Sequence, residues 1–139
     1  MGTTNDRRHS LNQQLIPRRK VRVPANPLKS MFKAQLKFQK RFYCFEQLTK
    51  QERTTYLFKM LTCINVEQVE ALEWLTDPSW KDWKKKKTKF NRYEFINELV
   101  DIQHFLINCL LAVKCNETEF SKAFFNKNLE NTKRQQKGY

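Results

Sequence analysis

Glu67 and Glu70, then Glu98 and Asp101, are the residues of this chain whose types and spacing best suit chemistry. Each pair is set three residues apart inside an apolar segment. On a helix, positions i and i+3 share one face, so both carboxylates of a pair point the same way. Two such helices packed antiparallel would gather four negative charges in one cleft, an arrangement that repels itself when empty. A hard cation such as Mg²⁺ prefers oxygen ligands and shares them with phosphate groups, so a filled cluster suits phosphate chemistry. Either pair alone reads more simply as a solvated helix face.

The segments that must carry these acids are helical. Two Gly and four Pro in 139 residues weigh against a turn-rich β protein, and the abundance of Leu, Phe, Lys, Glu and Gln favours helix. Leu28, Met31, Phe32, Gln35, Phe38 and Phe42 recur at steps of three and four, predicting a first helix over residues 27–43 with Pro27 in its first turn. A second stretch covers 50–75, long enough that a bend or break is expected, and Asp77 and Pro78 end it. Residues 80–89 form a basic, tryptophan-bearing connector with room for one short helix. The next helix, 92–114, has the clearest pattern, with Ile96, Leu99, Ile102, Phe105, Leu106, Cys109, Leu110 and Val113 on one stripe. Asn116 and Glu119 resemble a capping box that opens a last helix through about residue 132. The expectation is an all-α domain of four or five helices.

Charge divides the chain differently. Residues 1–43 hold eleven Lys and Arg against Asp6 alone, whereas the rest carries sixteen basic and thirteen acidic residues. Residues 1–26 lack hydrophobic periodicity and read as a basic arm, disordered or ordered by a partner, ahead of a domain over 27–139. Counter-ion release on a polyanion would let Arg7, Arg8, Arg18, Arg19, Lys20 and Arg22, within 7–22, give nonspecific nucleic-acid contact. Cys44, Cys63, Cys109 and Cys115 form no Cys-x-x-Cys pair and are expected to be buried, reduced thiols. No uninterrupted apolar run approaches the ~18 residues of a membrane span, and no signal-peptide core is present. The chain is therefore expected to be soluble and cytoplasmic (in the host cytoplasm if viral), with no membrane partner.

Wider motifs sharpen the reading. Glu67-x-x-Glu70 is followed, after 27 intervening residues, by Glu98-x-x-Asp101, within the segment Glu98-Leu99-Val100-Asp101-Ile102-Gln103-His104-Phe105. The C-terminus reads Lys127-Asn128-x-x-Asn131-x-x-Arg134-Gln135-x-x-Gly138-Tyr139, and Trp80-Lys81-x-Trp83-Lys84 and Gln35-x-x-Phe38-Gln39 stand upstream. Together these resemble the all-α nucleoside triphosphate pyrophosphatases, in particular the dimeric dUTPases and the phage dCTPase-dUTPases. The resemblance covers residues 27–139.

The resemblance implies a homodimeric helix bundle that hydrolyses dUTP and/or dCTP to the nucleoside monophosphate and pyrophosphate with Mg²⁺. It implies that Glu67, Glu70, Glu98 and Asp101 bind the metal, with Glu73 a further candidate, and that Glu70 or Glu67 positions and deprotonates the attacking water, Glu70 being preferred. Lys127, Asn131 and Arg134 would bind phosphate oxygens. Gln35, Gln39 and Trp83 would line a base pocket, and His104 would touch the sugar or orient a ligand. The charges suit these roles: Arg134 offers a bidentate clamp and Lys127 a point charge for a polyanionic substrate. Simpler roles stand beside them: His104 as a core histidine, the tryptophans as packing, Lys84–Lys87 as a solvated run. A catalytically silent relative, acting as a structural or nucleic-acid-binding component through its arm, is the competing class.

Overall fold

A computed structural model describes residues 22–75 and 90–138. Its helices are α1 (Pro27–Gln39), α2 (Lys50–Leu75), α3 (Arg92–Ala112) and α4 (Glu117–Gln136). There is no strand among the described residues, as an all-α reading requires. The arm through residue 21 and the connector 76–89, with its expected short helix, Trp83 and the Lys84–Lys87 run, lie outside the described residues.

Short polar side chains start each helix. Asn26 accepts from the Lys29 N–H ahead of Pro27, Asn91 caps α3, and Asn116 accepts from the Thr118 and Glu119 N–H groups. Thr49 and Glu52 form a reciprocal capping box at α2: Thr49 N–H donates to the Glu52 carboxylate at 2.9 Å, and Glu52 N–H to the Thr49 hydroxyl at 3.2 Å. That box is plain in the sequence once the helix start is known.

Details of the helices differ from the sequence reading, the end of α3 at Ala112 rather than residue 114 being the smallest. The first helix stops at Gln39 rather than residue 43, because the N–H groups of Phe42 and Tyr43 both turn back to the Gln39 carbonyl. This turn brings Phe45 into the core. The 26 residues of α2 run without a break, consistent with the absence of Gly and Pro between Lys50 and Leu75. The last helix continues to Gln136, four residues beyond the expected end.

The four cysteines are free, as expected, yet none is fully buried: Cys44 is exposed and the others partly covered.

The central pairing is α2 against α3, with α1 laid across α3 and the start of α4 against α1. Phe45, Tyr56 and Ala112 form the buried cluster, joined by Leu36, Tyr43, Leu48, Leu57, Met60 and Leu111. Tyr43 and Phe45 both meet the Tyr56 ring edge-on, at 4.7 and 5.3 Å between centroids. Arg53 ties this end together by donating to the carbonyls of Phe45 (3.2 Å), Leu48 (3.3 Å) and Ala112. Arg53→Met should therefore leave three carbonyls without their donor and cost about 2–3 kcal/mol, read as a lowered urea midpoint with retained helicity.

At the far end of α3, Lys114 adopts a left-handed conformation (φ 62°), and the N–H groups of Lys114 and Cys115 close on the carbonyls of Leu111 and Leu110. The chain then turns into α4, anchored by Phe32 against Phe120. From Lys122 onward every described residue of α4 is exposed, including Phe124, Phe125 and Leu129.

By length and composition α3 is apolar enough to cross a bilayer, although Glu98 and Asp101 interrupt it. The same apolarity is what a helix packed between two others needs.

Candidate metal and nucleotide site

The α2–α3 pairing brings together three of the four paired acids. Glu67 from α2 meets Glu98 and Asp101 from α3, and one carboxylate oxygen from each lies within 4.8 Å of the others. Glu67 and Glu98 are partly buried, while Asp101 opens to solvent. Glu70 stands one turn further along α2, exposed and outside this trio. Glu73, another three residues on, is partly buried and also outside it.

Crowding leaves an electrostatic mark on Glu67. Its partial burial, then the charges of Glu70, Asp101 and Glu98, push its carboxyl above the usual carboxylate range. Oxygen-rich, anionic and close-spaced, the trio matches the ligand preference of a small hard dication.

Two neighbours orient these carboxylates. The Trp74 indole N–H donates to Glu98 Oε1 at 3.2 Å, and His104 Nδ1 lies 3.3 Å from Asp101 Oδ1. Packing is the simpler role that the sequence gives Trp74; its place four residues after Glu70 puts it on the same side of α2. Outer partners of this kind typically set metal affinity by 10–100-fold, so Trp74→Phe should weaken Mg²⁺ binding by about that factor in a calorimetric titration.

The trio borders a cleft of about 580 Å³, walled by Ala34, Gln35, Phe38 and Gln39 of α1 and by Glu67, Asp101, His104, Phe105 and Asn108. Such a volume suits a nucleotide-sized ligand. Gln35 and Gln39, one turn apart on α1, each carry a hydrogen bond on the core side: Gln35 Nε2 donates to Asn108 Oδ1 at 2.8 Å, and the Tyr56 hydroxyl donates to Gln39 Oε1 at 3.1 Å. Asn108 was passed over in the sequence, although a lone amide within the apolar stripe, one turn beyond His104, was a usable signal.

The remaining candidates lie apart. Lys127, Asn131 and Arg134 sit on the exposed length of α4 and do not line the cleft. Lys127 and Arg134 both pair with Glu130, whose carboxyl they hold below its ordinary range, the Lys127 hydrogen bond contributing most.

An all-α chain that brings paired helical acids to the mouth of such a cleft has the build of a metal-dependent nucleotide hydrolase. A family model described as dUTPase matches residues 27–123, from the first residue of α1 into α4, and the chain belongs to that family, the all-α dimeric dUTPases. Membership implies a deoxynucleoside triphosphate pyrophosphatase, and the family typically uses Mg²⁺. The match stops short of Lys127, Asn131 and Arg134. The chain matches no curated protein and no solved structure.

Proposed function

We propose that this chain hydrolyses dUTP, dCTP or both to the nucleoside monophosphate and pyrophosphate. The observation that carries the reading is the convergence of Glu67, Glu98 and Asp101 beside a cleft whose opposite wall bears Gln35 and Gln39. Bound Mg²⁺ would neutralise the triphosphate and make the leaving pyrophosphate a better leaving group. Glu67, Glu98 and Asp101 hold it, with Glu70 and Glu73 as further ligands from the same stripe of α2.

Glu70, exposed beside the trio, positions the attacking water and takes its proton as the new P–O bond forms and the α–β phosphoanhydride breaks. His104 steadies Asp101 and faces the sugar. The base lies against Gln35 and Gln39, and the family resemblance adds Trp83 as a further base-pocket candidate. Lys127, Asn131 and Arg134 bind phosphate oxygens when α4 lies along the cleft of a second copy. Pairing of two copies would also cover Phe124, Phe125 and Leu129 on α4 and the apolar residues left exposed on α2, among them Phe58 and Leu61.

A panel of dUTP, dCTP, dTTP and UTP tests the reading, with pyrophosphate measured in Mg²⁺ and in EDTA. The expected result is Mg²⁺-dependent release from dUTP or dCTP, suppressed by the chelator. Release from none of the four, or release that persists in EDTA, would overturn it.

A further inference from the structure

Asn108 is 2 % exposed and belongs to neither the acid cluster nor the apolar core cluster, so its hydrogen bonds are its reason for being there. Besides accepting from Gln35, its Nδ2 donates to Met60 Sδ at 3.5 Å. A thioether sulfur accepts and never donates, so the NH₂ corner of Asn108 must face Met60. Its oxygen corner must then face Gln35. Gln35 in turn has to bring its own NH₂ to that oxygen, which leaves Gln35 Oε1 as the corner not used in the clamp.

The second glutamine is held in the opposite sense. Tyr56, 2 % exposed and packed among Tyr43 and Phe45, donates its hydroxyl proton to Gln39 Oε1. Burial pushes the phenol pKa up, so the hydroxyl remains a donor at any ordinary pH. The Gln39 oxygen is therefore taken on the core side, and its NH₂ group is the part left to offer.

We infer that Asn108 and Tyr56 are positioning residues: by locking the amides of Gln35 and Gln39 in opposite senses they present one acceptor and one donor, a helical turn apart, to a pyrimidine base. Uracil carries a donor, N3–H, beside acceptor oxygens; cytosine carries its N4 amino group beside the acceptor N3. Either base matches an acceptor–donor couple after a small shift in the cleft. A freely rotating amide would present both senses and lose part of that match. The inference rests on the base-pocket reading proposed above and goes one layer beneath it.

The test uses Asn108→Leu and Tyr56→Phe in the full-length protein, with dUTP, dCTP and baseless 2-deoxyribose 5-triphosphate as substrates. Tyr56→Phe keeps the ring in its aromatic cluster, so it decides the matter should Asn108→Leu fail to fold. Each variant should raise KM for dUTP and dCTP about tenfold or more, with kcat changed far less, because a misoriented polar partner is left unpaired against the base. The effect on the baseless triphosphate should be several-fold smaller. Parallel losses on all three substrates, or unaltered KM values, would overturn the inference. Absence of hydrolysis by the unsubstituted protein would instead bring down the parent reading, and this inference with it.

Discussion

Asp101→Asn should reduce pyrophosphate release from the preferred deoxynucleotide by at least ~10²–10³-fold, the scale of removing one preorganised electrostatic contact at a reacting centre. The substitution preserves shape and removes one of the trio's three carboxylates. Asp101 is half exposed, so the fold has little reliance on it, and helicity should be retained. The loss belongs in kcat, because the metal is needed most where charge gathers on the leaving group. Steady-state kinetics at saturating nucleotide, compared across Mg²⁺ concentrations, separates this from weaker substrate binding. Undiminished turnover would show that the reaction takes place elsewhere.

Glu67→Gln should have two opposite effects. Without metal the variant should be more stable than the parent above the ordinary carboxylate range, because Glu67 is the acid whose ionisation its surroundings resist most clearly. The sign follows from the raised folded-state pKa. Protonated Glu67 costs the fold nothing at low pH, whereas its penalty grows as pH rises from the unfolded carboxylate value through the raised folded one. The metal-free parent should thus lose stability across that window, and the glutamine variant should not. In Mg²⁺ the order should reverse. A ligand at about 100 times its Kd adds roughly 2.7 kcal/mol to the parent, and several degrees to its Tm, whereas the variant lacks the central carboxylate and should gain much less. Thermal melts at several pH values, with and without Mg²⁺, read both effects. Identical metal responses in the two proteins would exclude Glu67 from the site.

The two predictions share one structural cause, and it shows how far the sequence could be read. The spacing of Glu98 and Asp101 sufficed to place both carboxylates on one face of α3, since helix periodicity is a local property. That α2 would bring Glu67 to them followed from assuming antiparallel packing of two long apolar helices, which the α2–α3 pairing bears out. What periodicity could not supply is which member of each pair reaches the partner helix. Glu67 and Glu70 are equivalent in the sequence, yet Glu67 joins the trio and Glu70 remains at its solvent side.

The early end of α1 is closed locally, by the Phe42 and Tyr43 N–H groups on the Gln39 carbonyl, whereas the insertion of Phe45 depends on Arg53, whose reach to Phe45, Leu48 and Ala112 no window of a few residues contains. The roles of Asn108 and Trp74 at the site escaped notice for a related reason. A polar residue in an apolar stripe gains a role from what faces it across the helix pair. The tail motif around Lys127, Asn131 and Arg134 was legible as a motif, but among the described residues α4 packs near its start alone, so periodicity could not say what its exposed length lies against.

The most direct test of the metal-centred account is anomalous diffraction from crystals grown with Mn²⁺ and a non-hydrolysable dUTP analogue. The account predicts a manganese peak bridging Glu67, Glu98 and Asp101, with the pyrimidine ring against Gln35 and Gln39. Density for the analogue in the cleft with no metal between those carboxylates, or metal bound among other residues, would contradict it.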